Sequence, residues 1–232
     1  MQIKAISLCL ATSALVTLGA PAFAQDTAGT NMTTEGTGQP GGAATLSMAH
    51  QLYEMGVASG DALTVLTAAK LAATVDLKDG AEIKKETTGE AAADDSEGAA
   101  EDPATAEMMF AMATELAADD EAMKAIISDA AAETSRGRIG GAVRWKSKLP
   151  KGQTDVWEVP FYGNSYAEVA VIGDGDANLD MIITDQNGNA ICYDVSPSDQ
   201  VYCDFVPAWD GYFYVTVQNV GRSRNSYYLL TN

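Results

Sequence analysis

The sequence predicts an α+β protein, a small helical N-terminal unit followed by an antiparallel, jelly-roll-like β-sandwich. Two observations predict it. Apolar residues recur at helical spacing through residues 44–135, whereas residues 136–232 alternate apolar with polar and are rich in β-branched and aromatic side chains. Turn dipeptides then divide the second half into seven or eight short strands, the spacing of a sandwich.

Residues 1–24 read as a secretory signal peptide. Lys4 is followed by an apolar run to about Gly19 and by Ala22-Phe23-Ala24, the small-x-small form that a signal peptidase needs. Cleavage before Gln25 places the mature protein in the periplasm or outside the cell. Cys9 leaves with the signal, so Cys192 and Cys203 remain in a compartment that permits oxidation, and a single disulfide is the default. No later apolar stretch approaches the roughly 18 to 20 residues of a membrane helix, so no membrane insertion is expected. The formal net charge of -18 sits mostly before residue 136. It repels phosphate backbones and anionic lipid, which argues against nucleic acid as a partner.

Residues 25–43 are Gly, Thr and polar residues with too little apolar content to offset ordering entropy, so a flexible leader is expected. Residues 44–78 form a helical hairpin: Leu46, Ala49, His50, Tyr53 and Val57 share one face. Gly60 suits a left-handed helix end, and Asp61 caps a second helix that bears Val65, Leu66, Ala69 and Ala73. Residues 79–102 hold nine acids, two lysines and one large apolar residue, Ile83, which predicts an acidic disordered linker. Residues 103–135 form a second helical hairpin, with Asp102 as cap and Pro103 at the first helical position. Its stripes are Met109, Met112, Ala113 and Leu116, then Met123, Ile126, Ile127, Ala130 and Ala131. The two hairpins superpose weakly at an offset of 60, Leu52 on Met112 and Leu66 on Ile126, and are expected to pack as a small four-helix unit.

The strands follow from period two. Trp157, Val159 and Phe161 fall on one face, as do Ala167, Val169 and Val171, then Leu179, Met181 and Ile183, then Phe213, Val215 and Val217. Asn187-Gly188 favours a tight hairpin, and Asp210-Gly211 opens the next long strand. Cys192 and Cys203 lie on the strands flanking "DVSPSDQ", near enough for a cross-strand bridge worth about 2 to 3 kcal/mol in the chain-entropy account. A catalytic thiol pair would need the closer spacing of a redox motif.

The inventory for catalysis is thin. His50 is the only histidine, so a His-Glu-x-x-His zinc helix is excluded, and no paired Asp-Thr/Ser-Gly segment or phosphate loop occurs. On its apolar stripe His50 reads as a packing or surface residue. A noncatalytic protein is expected, and two binding candidates remain. Asp174, Asp176, Asn178 and Asp180 set hard oxygen ligands at alternating positions, with Asp185 at the twelfth place, as calcium loops do. Leu179 at the sixth place and the strand that follows depart from an EF-hand. The stretch is therefore a weak Ca2+ candidate, and Ca2+ the one cofactor to consider; the competing reading is that these residues cap loop amides and solvate a sheet edge. The other candidate is aromatic. Tyr212 and Tyr214 fall opposite the core face, with Trp209, Tyr166, Tyr193 and Tyr202 on strands or turns nearby, a surface suited to sugars or a partner protein. Cross-strand tyrosine pairing that only stabilises the sheet accounts for the same residues.

Four C-terminal segments, in order, carry a resemblance. They are Asp155 and Trp157; Leu179, Asp180, Asp185 and Gly188; Pro207, Gly211, Tyr212 and Val215; and Tyr228 and Leu230. Together, over residues 139–231, they resemble the bacterial pre-peptidase C-terminal domain. That resemblance implies a jelly-roll-like β-sandwich, usually noncatalytic, that accompanies secreted peptidases and serves in targeting or substrate contact. Small helices precede it here. The expectation is an exported noncatalytic protein that contacts a protein or polysaccharide through its sandwich, with an accessory or chaperone-like partner of a secreted peptidase as the alternative.

Overall fold

The computed structural model describes residues 29–91, 101–133 and 141–232. The expected signal peptide lies outside these residues, as do the first residues of the leader, the middle of the acidic linker and the entry to the sandwich.

Among the described residues ten strands form two five-stranded sheets. In chain order they are β1 (Asp76–Asp79), β2 (Lys85–Thr88), β3 (Gly141–Leu149), β4 (Thr154–Phe161), β5 (Ala167–Gly173), β6 (Leu179–Asp185), β7 (Ala190–Asp194), β8 (Gln200–Phe205), β9 (Gly211–Asn219) and β10 (Asn225–Thr231). The first sheet runs β1-β3-β10-β5-β8 and the second β2-β4-β9-β6-β7. Every pairing is antiparallel except β1 with β3. From β3 onward the chain changes sheet at every connection but the β6–β7 hairpin, whose Gly188 takes the left-handed φ of 81° that its turn requires. The core between the sheets is the one the alternation predicts. Val169 and Val171 face Leu179, Met181, Ile183, Phe213, Val215 and Val217 within one cluster, all at 0% exposure. Burying each such side chain stabilises the fold by about 1.5 to 3 kcal/mol.

Among the described residues four helices accompany the sandwich: α1 (Gly42–Ser59), α2 (Ala62–Ala73), α3 (Ala106–Leu116) and α4 (Glu121–Glu133). Gly60 ends α1 at φ 67°, and Asp61 accepts hydrogen bonds from Leu63 N at 3.0 Å and Thr64 Oγ1 at 2.6 Å to start α2. α3 begins later than expected. Thr105 caps it, while Asp102 instead meets Lys146 Nζ at 2.7 Å, because the chain before Thr105 lies along the sheet. Nor do the helices form a separate four-helix unit. Val65, Leu66, Ala113, Ile127 and Ala130 pack helix on helix, but Ala43, Leu46 and Ala49 of α1 bury Ala170, Ile172, Tyr228 and Leu230 on the outer face of the first sheet. β5 and β10 are consequently buried on both faces, giving three layers: helices, sheet, sheet.

Two segments expected to lack structure are built into the sandwich. In the leader, Thr33 N bonds Val206 O at 2.9 Å, Thr37 N bonds Asn164 O at 3.0 Å, and Tyr166 N bonds Thr37 O at 2.9 Å. Asn31 is fully buried. The leader's polar composition rules out a core of its own, but its backbone groups find partners along an existing sheet end. The expected hairpin stops at Ala73, β1 (Asp76–Asp79) crosses from its end into the linker, and β2 lies within the linker; the two are edge strands of the two sheets, and Ile83 between them packs against the core. Acidic side chains suit an exposed edge strand, where charge discourages pairing with other chains.

Candidate functional site

The calcium candidate spans the β5–β6 loop and the start of β6. Asp174 on the β5–β6 loop accepts hydrogen bonds from Ser226 N at 2.8 Å and from Asp176 N at 3.1 Å. Asn178 donates to Asp180 Oδ1 at 3.3 Å, and Asp176 is exposed. Burial pushes the Asp174 carboxyl up, and the neighbouring charges of Asp176 and Asp199 add to that rise. Asp185, at the far end of β6, lies about 20 Å from the loop at the usual strand rise. Among the described residues no group of three His, Cys, Asp or Glu side chains is gathered to hold a metal ion. Two of these aspartates, Asp174 and Asp185, accept backbone N–H groups. Asp174 ties the loop to β10, and Asp185 is a hub at the opposite end of the sandwich.

That hub carries the leader. Asp185 is fully buried and accepts from Asn31 N at 2.8 Å, Asn187 N and Asn189 N at 2.9 Å, and Asn189 Nδ2 at 2.9 Å. Desolvation works against its charge, but the hydrogen bonds from Asn189, Asn31 and Asn187 outweigh it and hold the carboxyl below the usual range. Asn31 then clamps the loop before β9, accepting from Trp209 N at 3.0 Å and donating to Trp209 O at 3.1 Å.

A second buried carboxylate joins the sheets. Asp155 of β4 accepts from Tyr227 Oη at 2.7 Å, Ser147 Oγ at 2.6 Å and Thr87 Oγ1, and Lys85 Nζ lies 3.4 Å away. Trp157 Nε1 donates to the same Tyr227 hydroxyl at 2.7 Å. Lys85 Nζ also approaches Ser147 Oγ at 2.8 Å. A nucleophile needs a free proton path and room for substrate. Ser147 is buried and its proton is committed to Asp155, so the cluster is a pin between sheets and not a catalytic dyad.

The disulfide forms, but not within one ladder. Cys192 is on β7 of the second sheet and Cys203 on β8 of the first, with Cα atoms 6.4 Å apart. Both are edge strands. The bond staples the sandwich at one edge, while residues 80–84, between β1 and β2, close the other.

The two outer faces differ. Helices pack on much of the first sheet; in the second, no helix among the described residues lies over Tyr212, Tyr214, Ile182 and Tyr193. Tyr212 is 52% exposed opposite Pro160, and Tyr193 is 70% exposed opposite Ile182, itself opposite Thr216. Tyr214 is half-buried between Glu158 and Thr184. Trp209 and Tyr162, 39% and 78% exposed, stand at one end of this face. Gly163 permits that meeting, since a Cβ there would come within 2.6 Å of Trp209 Cα. Beside them a hollow of about 370 Å³ is lined by Pro160, Tyr162, Asp210 and Tyr212. Tyr166 and Tyr202 belong elsewhere. They sit by the first sheet in a network with Asp204 and Glu168, where Tyr202 Oη donates to Glu168 Oε1 at 3.2 Å. Tyr162 and Ile182 were not singled out from the sequence, although the outward phase of β4 and β6 places both.

Comparison with known proteins gives likeness of fold. No family model and no curated protein matches the chain. Among solved structures it is similar to the pre-peptidase C-terminal domain of a collagenase from Bacillus anthracis, at 16% identity and a TM-score of 0.33, over 38% of this chain and 87% of that one. It is also similar to a periplasmic inhibitor of g-type lysozyme from Aeromonas hydrophila, at 11% identity and a TM-score of 0.30, over 39% and 84%. A third is a low-affinity xylan-binding module from Roseburia intestinalis, at 15% identity and a TM-score of 0.25, over 38% and 75%. The first is the domain type that the sequence resembles.

Proposed function

We propose that this chain is an exported, noncatalytic binding protein whose ligand, a neutral polysaccharide, docks on the open outer face of the second sheet. One observation carries the proposal: among the described residues no helix packs on the outer face of the second sheet, and that face bears Tyr193, Tyr212, Tyr162 and Trp209 at 39% to 78% exposure. Aromatic rings stack on the apolar faces of sugars while their polar tips stay hydrated. Between the rings stand Thr184, Thr216 and Gln218, side chains that can bond sugar hydroxyls. Tyr212 and Tyr214 are about 7 Å apart along β9, so an extended chain meets them in turn. The net charge of -18 favours an uncharged ligand over an anionic one. Export rests on the signal-like start and agrees with the formed disulfide; among the described residues no helix is long and apolar enough to cross a membrane.

Co-sedimentation of the full chain with a panel of insoluble polysaccharides, alongside immobilised envelope proteins, tests the proposal. Retention by a neutral glycan supports it. Retention by an envelope protein alone would shift the ligand to a protein, and retention by neither would remove the binding role of this face.

A further inference from the structure

The helices do not close completely over the first sheet. Between α1, the end of α2, the start of α3 and the outer faces of β3, β5 and β10 lies a cleft of about 430 Å³, within the range of small-molecule sites. Its walls are Leu46, Val75, Ile172 and Leu230, with the Tyr228 ring beside them. His50 lines it too. Its imidazole is the only one in the chain, the residue is 5% exposed, and no hydrogen bond among the described residues reaches the ring. Buried polar groups nearly always have partners, so an orphaned ring facing a cleft marks a place for one.

The chemistry of the lining narrows the ligand. Burial brings the His50 pKa down to about 4, so at neutral pH the ring offers one donor and one acceptor without charge. Two charged groups line the cleft, Glu107 and Arg144, and the Arg144 guanidinium is already held by Asp79 at 2.9 and 2.6 Å and lies 4.9 Å over the Tyr228 ring. A charged head would lose its hydration there without a free counter-charge.

We propose that this cleft binds a small aliphatic molecule with a single uncharged hydrogen-bonding head, the head on His50 and the chain against Leu46, Ile172 and Leu230. The site is separate from the open face of the second sheet, so either can fail without the other.

The lone histidine makes the test direct, because the full chain gives one set of imidazole NMR signals. Titration with decanol is expected to shift those signals saturably and to raise Tm. His50→Leu is expected to weaken decanol binding, read from the Tm shift, by about tenfold, the worth of one hydrogen bond. Ala73→Trp, which fills the cleft from a half-buried position, is expected to abolish the shift, with Leu77→Trp as the second filling variant should the first fail to fold. An imidazole unmoved by decanol up to its solubility limit overturns the proposal, as does a shift that survives cleft filling. Decanoate binding as tightly as decanol overturns the uncharged head and gives Arg144 the leading part.

Discussion

Asn31 donates its backbone N–H to Asp185 Oδ2 at 2.8 Å, joining residues 154 positions apart. This contact turns a polar leader into part of the sandwich, and through Asn31 it orders the loop that carries Trp209. Asp185→Ala removes four accepted hydrogen bonds to a buried carboxylate and is expected to lower stability by roughly 3 kcal/mol in urea unfolding. The sign with pH follows from its depressed pKa. The contribution is present above the ordinary carboxylate value of about 3.9 and is lost as pH falls through the lower folded value. Unchanged unfolding in Asp185→Ala would contradict this role.

Reduction should loosen one edge of the sandwich. Replacing Cys192 and Cys203 with Ser removes the staple between β7 and β8 and is expected to lower stability by about 2 to 3 kcal/mol. Because the bond joins two sheets, hydrogen exchange should quicken at β7 and β8 first, with β4 and β9 still protected. Uniform quickening would argue against an edge staple.

Asp155→Ala should be among the most damaging single changes. It leaves the Tyr227 and Ser147 hydroxyls without their acceptor inside the core and is expected to cost about 3 kcal/mol or more. Asp155→Asn keeps the shape and part of the bonding, and a loss close to that of Ala would show that charge, not shape, matters here.

His50 predicts a pH slope. Its folded pKa of about 4 lies below the ordinary 6.5, so the unfolded chain binds the extra proton between those values. Its contribution is full above pH 6.5 and falls by about 3 kcal/mol as pH drops toward 4. Glu54 and Asp174, whose carboxyls are raised, slope the other way, so the difference between the native chain and His50→Leu isolates the effect. Parallel stability curves for the two proteins would rule it out.

Much of this fold was legible in the residues, and the exceptions share a cause. Period two named the inward faces of β4, β5, β6 and β9 because each is half of one core, and the helix stripes held at Leu46, Val65 and Met109 for the same reason, whereas Val57 and Ile126 of those stripes face solvent. Contacts with a distant surface left weaker traces. Ala170 and Ile172 look like the lesser face of β5 until α1 covers them, and Glu86 and Thr87 look like linker until β2 pairs with β4. Asn31 carries no periodicity at all; its order comes from Asp185 and Trp209. At the candidate site, Asp174 to Asp180 show the spacing of calcium ligands, yet spacing does not reveal that Ser226 N and Asp176 N already occupy Asp174. Tyr212 was readable from strand phase, but the bareness of its sheet depends on which sheet the helices chose.

The account rests on that bare face. The most direct measurement is calorimetric titration of the best-retained neutral glycan into the native chain and into Tyr193→Ala/Tyr212→Ala, both checked for equal Tm. Loss of two stacking rings is predicted to weaken affinity by roughly tenfold or more, since each ring–ligand stack contributes on the order of 1 kcal/mol. Equal affinity in the two proteins would place the ligand elsewhere and contradict the claim.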